Sequence, residues 1–136
     1  MIIINKRNLF FLISVWLLST LLSAQNVTIS TPQTQLLLSV PNGGTPEQLY
    51  YGSRTSDADI RSICETACRR NAYPVYGMGY PCETALSVRH ADGNLTLQMA
   101  VIGVKETRLT KENATLTVIE LKDKVYPFFV NICYKA

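Results

Sequence analysis

The chain has 136 residues, with 13 Lys and Arg against 10 Asp and Glu and a formal net charge of +3. That length suits one small domain with limited capacity to bury surface. The basic residues form no stripe interleaved with aromatics, which argues against nucleic acid as a partner, and a single histidine without a Gly-x-Ser-x-Gly elbow or a phosphate loop removes several enzyme classes.

Lys6 and Arg7 precede the apolar run "LFFLISVWLLSTLLSA" at 9–24. A basic start, a short apolar stretch and a small residue before polar sequence read as a signal peptide over 1–24, which predicts export to the periplasm or the extracellular space. The run is short for a membrane span of about 20 residues; a retained anchor is the alternative. Leu22, at the third position before the cut, leaves the cleavage site open. Removing 1–24 leaves eleven basic and ten acidic residues, so the mature region, 25–136, carries a net charge of only +1.

Residues 27–30 and 35–40 read as strands separated by Thr31-Pro32, and "PNGGTP" at 41–46 is a dense turn cluster before the short apolar run at 48–51. "DADIRSICETACRR" at 57–70 is the one helical pattern. Ser56 or Asp57 caps it, and Ile60, Ile63, Cys64, Ala67 and Cys68 recur at helical spacing. "YPVYGMGYP" at 73–81 is an aromatic loop punctuated by Gly and Pro.

"ALSVRHADGNLTLQMAV" at 85–101 alternates on both sides of Asp92-Gly93, a pair suited to the positive φ of primed turns. The pattern predicts a β-hairpin with paired arms and with Leu86, Val88, Leu95, Leu97, Met99 and Val101 buried on a shared face. His90, at the strand end, is expected to be structural, with a hydrogen bond that helps fix the bend, rather than catalytic or metal-binding. A polar connector follows at 105–113, then the β-branched strand "ATLTVIELKD" at 114–123. In "VYPFFVNICYKA", Phe128, Val130, Ile132 and Tyr134 alternate against Phe129, Asn131 and Cys133. Apolar residues on both faces belong inside a sandwich larger than this chain closes. A last strand reaching Ala136 predicts an incomplete sheet whose edge invites aggregation or homo-oligomer formation.

Export permits disulfides, and Cys64, Cys68, Cys82 and Cys133 allow three full pairings. Cys64 and Cys68, one helical turn apart, are poorly placed to bond each other. A bridge from this segment to Cys82 competes with free buried thiols, which are slightly favoured. The spacing is not that of a zinc ribbon, so no metal is expected. Asn26, Asn94 and Asn113 begin N-x-Thr sequons that read as strand and turn chemistry. Solvated faces account for nearly all of the ten carboxylates, Asp123 being one of the ten and Asp92 part of the turn.

The succession "LLLSV…EQLYYGSR", "YPVYGMGYPCETALSVRHADGNLTLQMAVIGVKE" and "VIELKDKVYPFFVNICYKA" resembles the N-terminal domain of family 36 glycoside hydrolases. The resemblance covers most of the chain after Thr34 and is most specific at 73–77, at "HADGN" and at "LKD-VYPF-V". It implies an all-β fold, a partial β-sandwich (supersandwich) with one short helix. The resemblance implies that the full-length proteins are retaining α-galactosidases, in which a downstream (β/α)₈ barrel carries both catalytic aspartates. No residue of this chain then inherits a catalytic role, and no cofactor is implied. The missing barrel of the same parent protein becomes the expected partner, and an α-galactoside would be met only through it. Tyr80, Pro81 and Cys82 stand where many members have an Asp-Phe-Arg type triplet, Thr84 stands in place of a proline, and 57–70 has no counterpart. The resemblance therefore predicts a truncated or excised N-terminal fragment. The alternative is a stand-alone secreted carbohydrate- or protein-binding module using Tyr50, Tyr51, Tyr73, Tyr76 and Tyr80.

Overall fold

The computed structural model describes residues 25–136, so the signal peptide expected at 1–24 lies outside the described residues. Two antiparallel sheets face each other. The first has the order β1-β2-β3-β4, from β1 (Gln25–Ser30), β2 (Thr34–Val40), β3 (Glu47–Ser53) and the short β4 (Arg70–Asn71). The second has the order β5-β6-β7, from β5 (Met99–Leu109), β6 (Ala114–Asp123) and β7 (Phe129–Lys135). Val27, Leu38 and Val40 from one sheet meet Met99, Val101, Ile119 and Leu121 from the other, which is the alternating inner-face pattern of a sandwich. No helix among the described residues is long and apolar enough to cross a membrane.

The turn at 41–46 joins the two layers through the backbone. Gly43, at φ +73°, donates its N–H to Val101 O, and Val101 N–H donates to Gly44 O, both at 2.8 Å. A left-handed residue is needed to aim this turn at β5, and glycine takes that conformation without steric cost.

The helix α1 (Asp57–Thr66) starts as expected and ends four residues early. Ser56 and Asp59 form a reciprocal capping box at its N-terminus. Ala67 leaves the helical region at ψ 141°, so the chain can enter β4, and Cys68 lies past the helix end rather than on the Cys64 face. The excursion covers the outer face of β2, where Gln35, Leu37 and Ser39 are buried. Thr55 donates its N–H and hydroxyl to Gln35 Oε1, Arg69 Nη1 donates to Ser39 Oγ, and Asn26 Nδ2 donates to Cys64 Sγ. All four cysteines are free thiols; Cys68, Cys82 and Cys133 are exposed and Cys64 is half-buried.

The turn at Asp92-Gly93 forms, with Gly93 at φ +86° and its N–H on His90 O, but the arms around it do not pair as a hairpin. The segment at 73–76 inserts between them. Tyr76 N–H donates to Leu86 O on one arm, and Leu97 N–H donates to Tyr76 O on the other. Val75, 1% exposed, fills the gap and bridges Leu86 in parallel. The arms satisfy their backbone groups on this third segment, which alternation alone does not reveal. Leu97, Met99 and Val101 are buried as expected and Leu86 and Val88 are half-buried against the core, but Leu95 is 41% exposed.

The connector expected at 105–113 shrinks to 110–113. Lys105–Leu109 continue β5 and pair with β6 out to Leu109↔Ala114. Their side chains are polar because this end of the ribbon projects into solvent, where Lys105 pairs with Glu120 at 2.5 Å. β6 occupies the strand expected at 114–123, and β7 presents Val130, Ile132 and Tyr134 inward, with Phe129 and Cys133 outward.

Candidate functional site

Two sequence stretches 25 or more residues apart, "HADGN" and "KDKVYPF", close into one polar brace. Its base is Asp123, the last residue of β6, 1% exposed. The carboxylate accepts N–H groups from Gln98 at 2.8 Å, Val125 at 2.8 Å and Tyr126 at 2.9 Å. Burial pulls its pKa upward, but the three backbone donors together outweigh that and hold the group below the usual carboxylate value. Asp123 is thus an exception among carboxylates expected mostly on solvated faces: two N–H groups of its tight turn and the N–H of Gln98 converge there and would otherwise be buried without partners.

Tyr126 carries the brace outward. Its hydroxyl donates to Asp92 Oδ2 at 2.6 Å and accepts from Asn94 Nδ2 at 2.9 Å. Asp92 Oδ1 also accepts the Asn94 N–H, and Asn94 Oδ1 accepts the Thr96 N–H. Donation from Tyr126 first, then from the Asn94 N–H, holds Asp92 below its ordinary pKa, and the same bond raises that of Tyr126. The Asn94 amide is thus engaged at both ends, which supports the reading of its sequon as turn chemistry. The His90 ring stacks on Tyr126, with centroids 3.6 Å apart and planes 11° from parallel, and meets Phe128 edge-on. The His90 side chain thus contributes by stacking and not through the hydrogen bond expected of it. The bend is fixed by its backbone, which donates to Asn94 O and accepts from Gly93, while the buried Nε2 has no hydrogen-bond partner.

The brace positions a groove beside it. Lys124 N–H donates to Gln98 O while Gln98 N–H donates to Asp123, so both groove-lining residues are locked to the end of β6. The groove, of about 530 Å³, runs between Gly44 and Thr45 of the interlayer turn, Gly77 and Met78 of the aromatic loop, and Gln98, Met99 and Lys124. Composition gave no hint of Gln98, Lys124 or Gly44, because each reaches the groove only through long-range pairing. Gly77, at φ +93°, is essential to the loop: an added Cβ would lie 2.6 Å from Thr96 Cγ2 and 2.9 Å from Thr96 Cα. Gly79 has the same sign of φ but open space around it. Gly77→Ala should therefore lower the unfolding free energy by about 2–3 kcal/mol, and Gly79→Ala by about 1 kcal/mol, read by denaturant titration. Equal costs would mean that the contact with Thr96 is not tight.

The five tyrosines considered for sugar stacking do not share a surface. Tyr73 packs half-buried against the core, and Tyr50 is half-buried with its hydroxyl donating to Ser53 O. Tyr76 and Tyr80 are exposed on the aromatic loop, with Tyr51 exposed on β3. Chemically, the groove offers hydrogen bonds, apolar contact and one positive charge. The two carboxylates of the brace are already held ionised by the donors that surround them, which suits anchoring rather than acid–base exchange.

Residues 44–136 match the profile of the Glycosyl hydrolase family 36 N-terminal domain. Among solved structures, the α-galactosidase from Lactobacillus brevis is similar in fold, with a TM-score of 0.68 at 14% sequence identity. The similarity covers 83% of this chain and 20% of that one, so this chain corresponds to about a fifth of the neighbour's length. No curated protein matches. The family match spans more than half of the sequence and includes the brace, the groove and all three strands of the second sheet, and the chain therefore belongs to glycosyl hydrolase family 36 through that family's N-terminal domain.

Proposed function

We propose that this chain is the non-catalytic N-terminal structural portion of an exported α-galactosidase, with hydrolysis performed by a catalytic unit outside residues 25–136. The match of residues 44–136 to the N-terminal domain carries the reading, and the fold shared with an α-galactosidase supports it. The occupied state of Asp92 and Asp123 agrees with it, since both carboxylates serve the brace. The basic and apolar leader at 6–24 supports export.

The purified protein, at high concentration, should leave a chromogenic α-galactoside at its uncatalysed rate. Turnover that co-purifies with the chain, and disappears when one of its own carboxylates is replaced, would overturn the reading. An N-terminal reporter fusion should appear in the exported fraction, and retention in the cytoplasm would remove the export part alone.

A further inference from the structure

We propose that the free edge of β7 is a self-pairing surface, on which a second copy of this chain adds its own β7 in antiparallel register about Ile132. β7 lies at the edge of the β5-β6-β7 sheet. Its register on β6 decides which of its backbone groups are engaged there. Thr115 and Ala136 exchange both hydrogen bonds, and Asp123 N–H donates to Phe128 O, so the bonded pairs of this ladder are those in step with them. Val130, Ile132 and Tyr134 therefore turn their N–H and C=O groups towards β6. Phe129, Asn131, Cys133 and Lys135 turn theirs away, and no other backbone among the described residues bonds to them. The remaining edges are short or polar. β4 is two residues long, β1 exposes Gln25, Asn26 and Thr28, and β5 carries Lys105, Glu106 and Arg108. β7 has no proline, no bulge against β6, and one charge, at Lys135.

The occupant follows from the strand's own sequence, FVNICYK. Antiparallel pairing about Ile132 sets Phe129 opposite the partner's Lys135 and Asn131 opposite the partner's Cys133, and the two-fold repeats both pairs. These are the residues whose backbone groups are free, so every free N–H and C=O of β7 meets a free group across the axis. A slip of one residue sets free groups against engaged ones. A slip of two leaves Phe129 or Lys135 without a β7 partner. On the face towards the core, Val130 meets the partner's Tyr134, and Ile132 meets the partner's Ile132. All three are half-buried in the single copy, and the pairing covers what the first sheet leaves open. On the outer face, Lys135 comes beside the partner's Phe129, a ring 58% exposed that Lys122 of its own sheet approaches at 5.6 Å. The two Lys135 charges stay at opposite ends of the ribbon. The surface rests on β7 alone and not on the α-galactosidase reading, which its own turnover assay tests.

Sedimentation of the purified protein from about 1 µM to about 1 mM should show a monomer–dimer equilibrium. Residue-resolved hydrogen exchange at both ends of that range identifies the surface. The amides of Val130, Ile132 and Tyr134 should be protected throughout, and those of Phe129, Asn131, Cys133 and Lys135 should gain about tenfold or more with concentration. Charge reads the register. Phe129→Lys sets like charges opposite each other at both ends of the paired strands, and Phe129→Glu sets opposite ones. The first variant should therefore dimerise with a Kd about tenfold or more above that of the second. Adding Lys135→Glu to each should reverse that order, which the charge of Lys122 within one copy does not do. A protein still monomeric at about 1 mM, a dimer whose edge amides stay unprotected, or an order that Lys135→Glu leaves unchanged would overturn the inference. Protection of those amides at every concentration would overturn it too, because another segment of the same chain then holds the edge. The exchange measurement needs no variant, so it decides even where Phe129→Lys fails to fold.

Discussion

Asp123→Asn is expected to lower the unfolding free energy by about 2–4 kcal/mol, with the loss concentrated at the end of β6. The native carboxylate accepts three backbone N–H groups in a site closed to solvent. Asparagine keeps one acceptor oxygen and turns an N–H₂ donor towards groups that are themselves donors. Each bond to a charged acceptor is worth about 1.5–3 kcal/mol, and a stranded buried donor costs about 1–3 kcal/mol. Hydrogen exchange should show the amides of Gln98, Val125 and Tyr126 losing protection ahead of those in β6. A loss below about 1 kcal/mol with protection unchanged would mean that the turn holds without its carboxylate.

The same group sets a pH dependence. Its folded pKa lies below the ordinary value, so its stabilising contribution is complete above the usual carboxylate range. That contribution is lost as pH falls through that range towards the lower folded value. Asp92 acts in the same direction through its bond from Tyr126. The wild-type protein should therefore lose stability on acidification below about pH 4, with a shallower acid dependence in Asp123→Asn. At the alkaline end the sign reverses. The pKa of Tyr126 is raised because its proton is held by Asp92, so that contribution is present below the ordinary phenol value and lost as pH rises through the raised one.

Ile119→Ala should cost about 2–5 kcal/mol, and Ile119→Val about 0.5–1.5 kcal/mol. Ile119 is 0% exposed on the central strand of its sheet, paired with Val104 on one side and Ile132 on the other. Truncation leaves a cavity between two registered neighbours that cannot close without moving both ladders. Denaturant unfolding of the two variants against wild type reads the difference. A cost for Ile119→Ala no larger than that for Ile119→Val would show that the two sheets can slide together to fill the space.

Much of this fold rests on local rules that a sequence carries openly. The Ser56–Asp59 capping box starts α1 where the helical pattern starts, because a side-chain oxygen three residues from an N–H needs no help from the rest of the chain. Asp92-Gly93 turns where expected, because positive φ at Gly93 is a property of the residue. β6 occupies 114–123 because β-branched residues favour a pleated, packed surface.

The tertiary structure alone decided what those elements touch. The arms at 85–101 alternate as a hairpin would, yet the segment at 73–76 lies between them, since backbone groups take whichever partner the packed core brings near. Residues 105–109 are polar enough to read as a loop but continue β5, because an edge ribbon in solvent is stabilised by its ladder and not by burial. Asp123 has the composition of a surface carboxylate and lies buried, since three N–H groups of its own turn and of Gln98 converge on it. Pattern specifies the element and the face. Desolvation and pairing across 25 or more residues specify the partner, and both the brace and the groove beside it belong to that second kind of information.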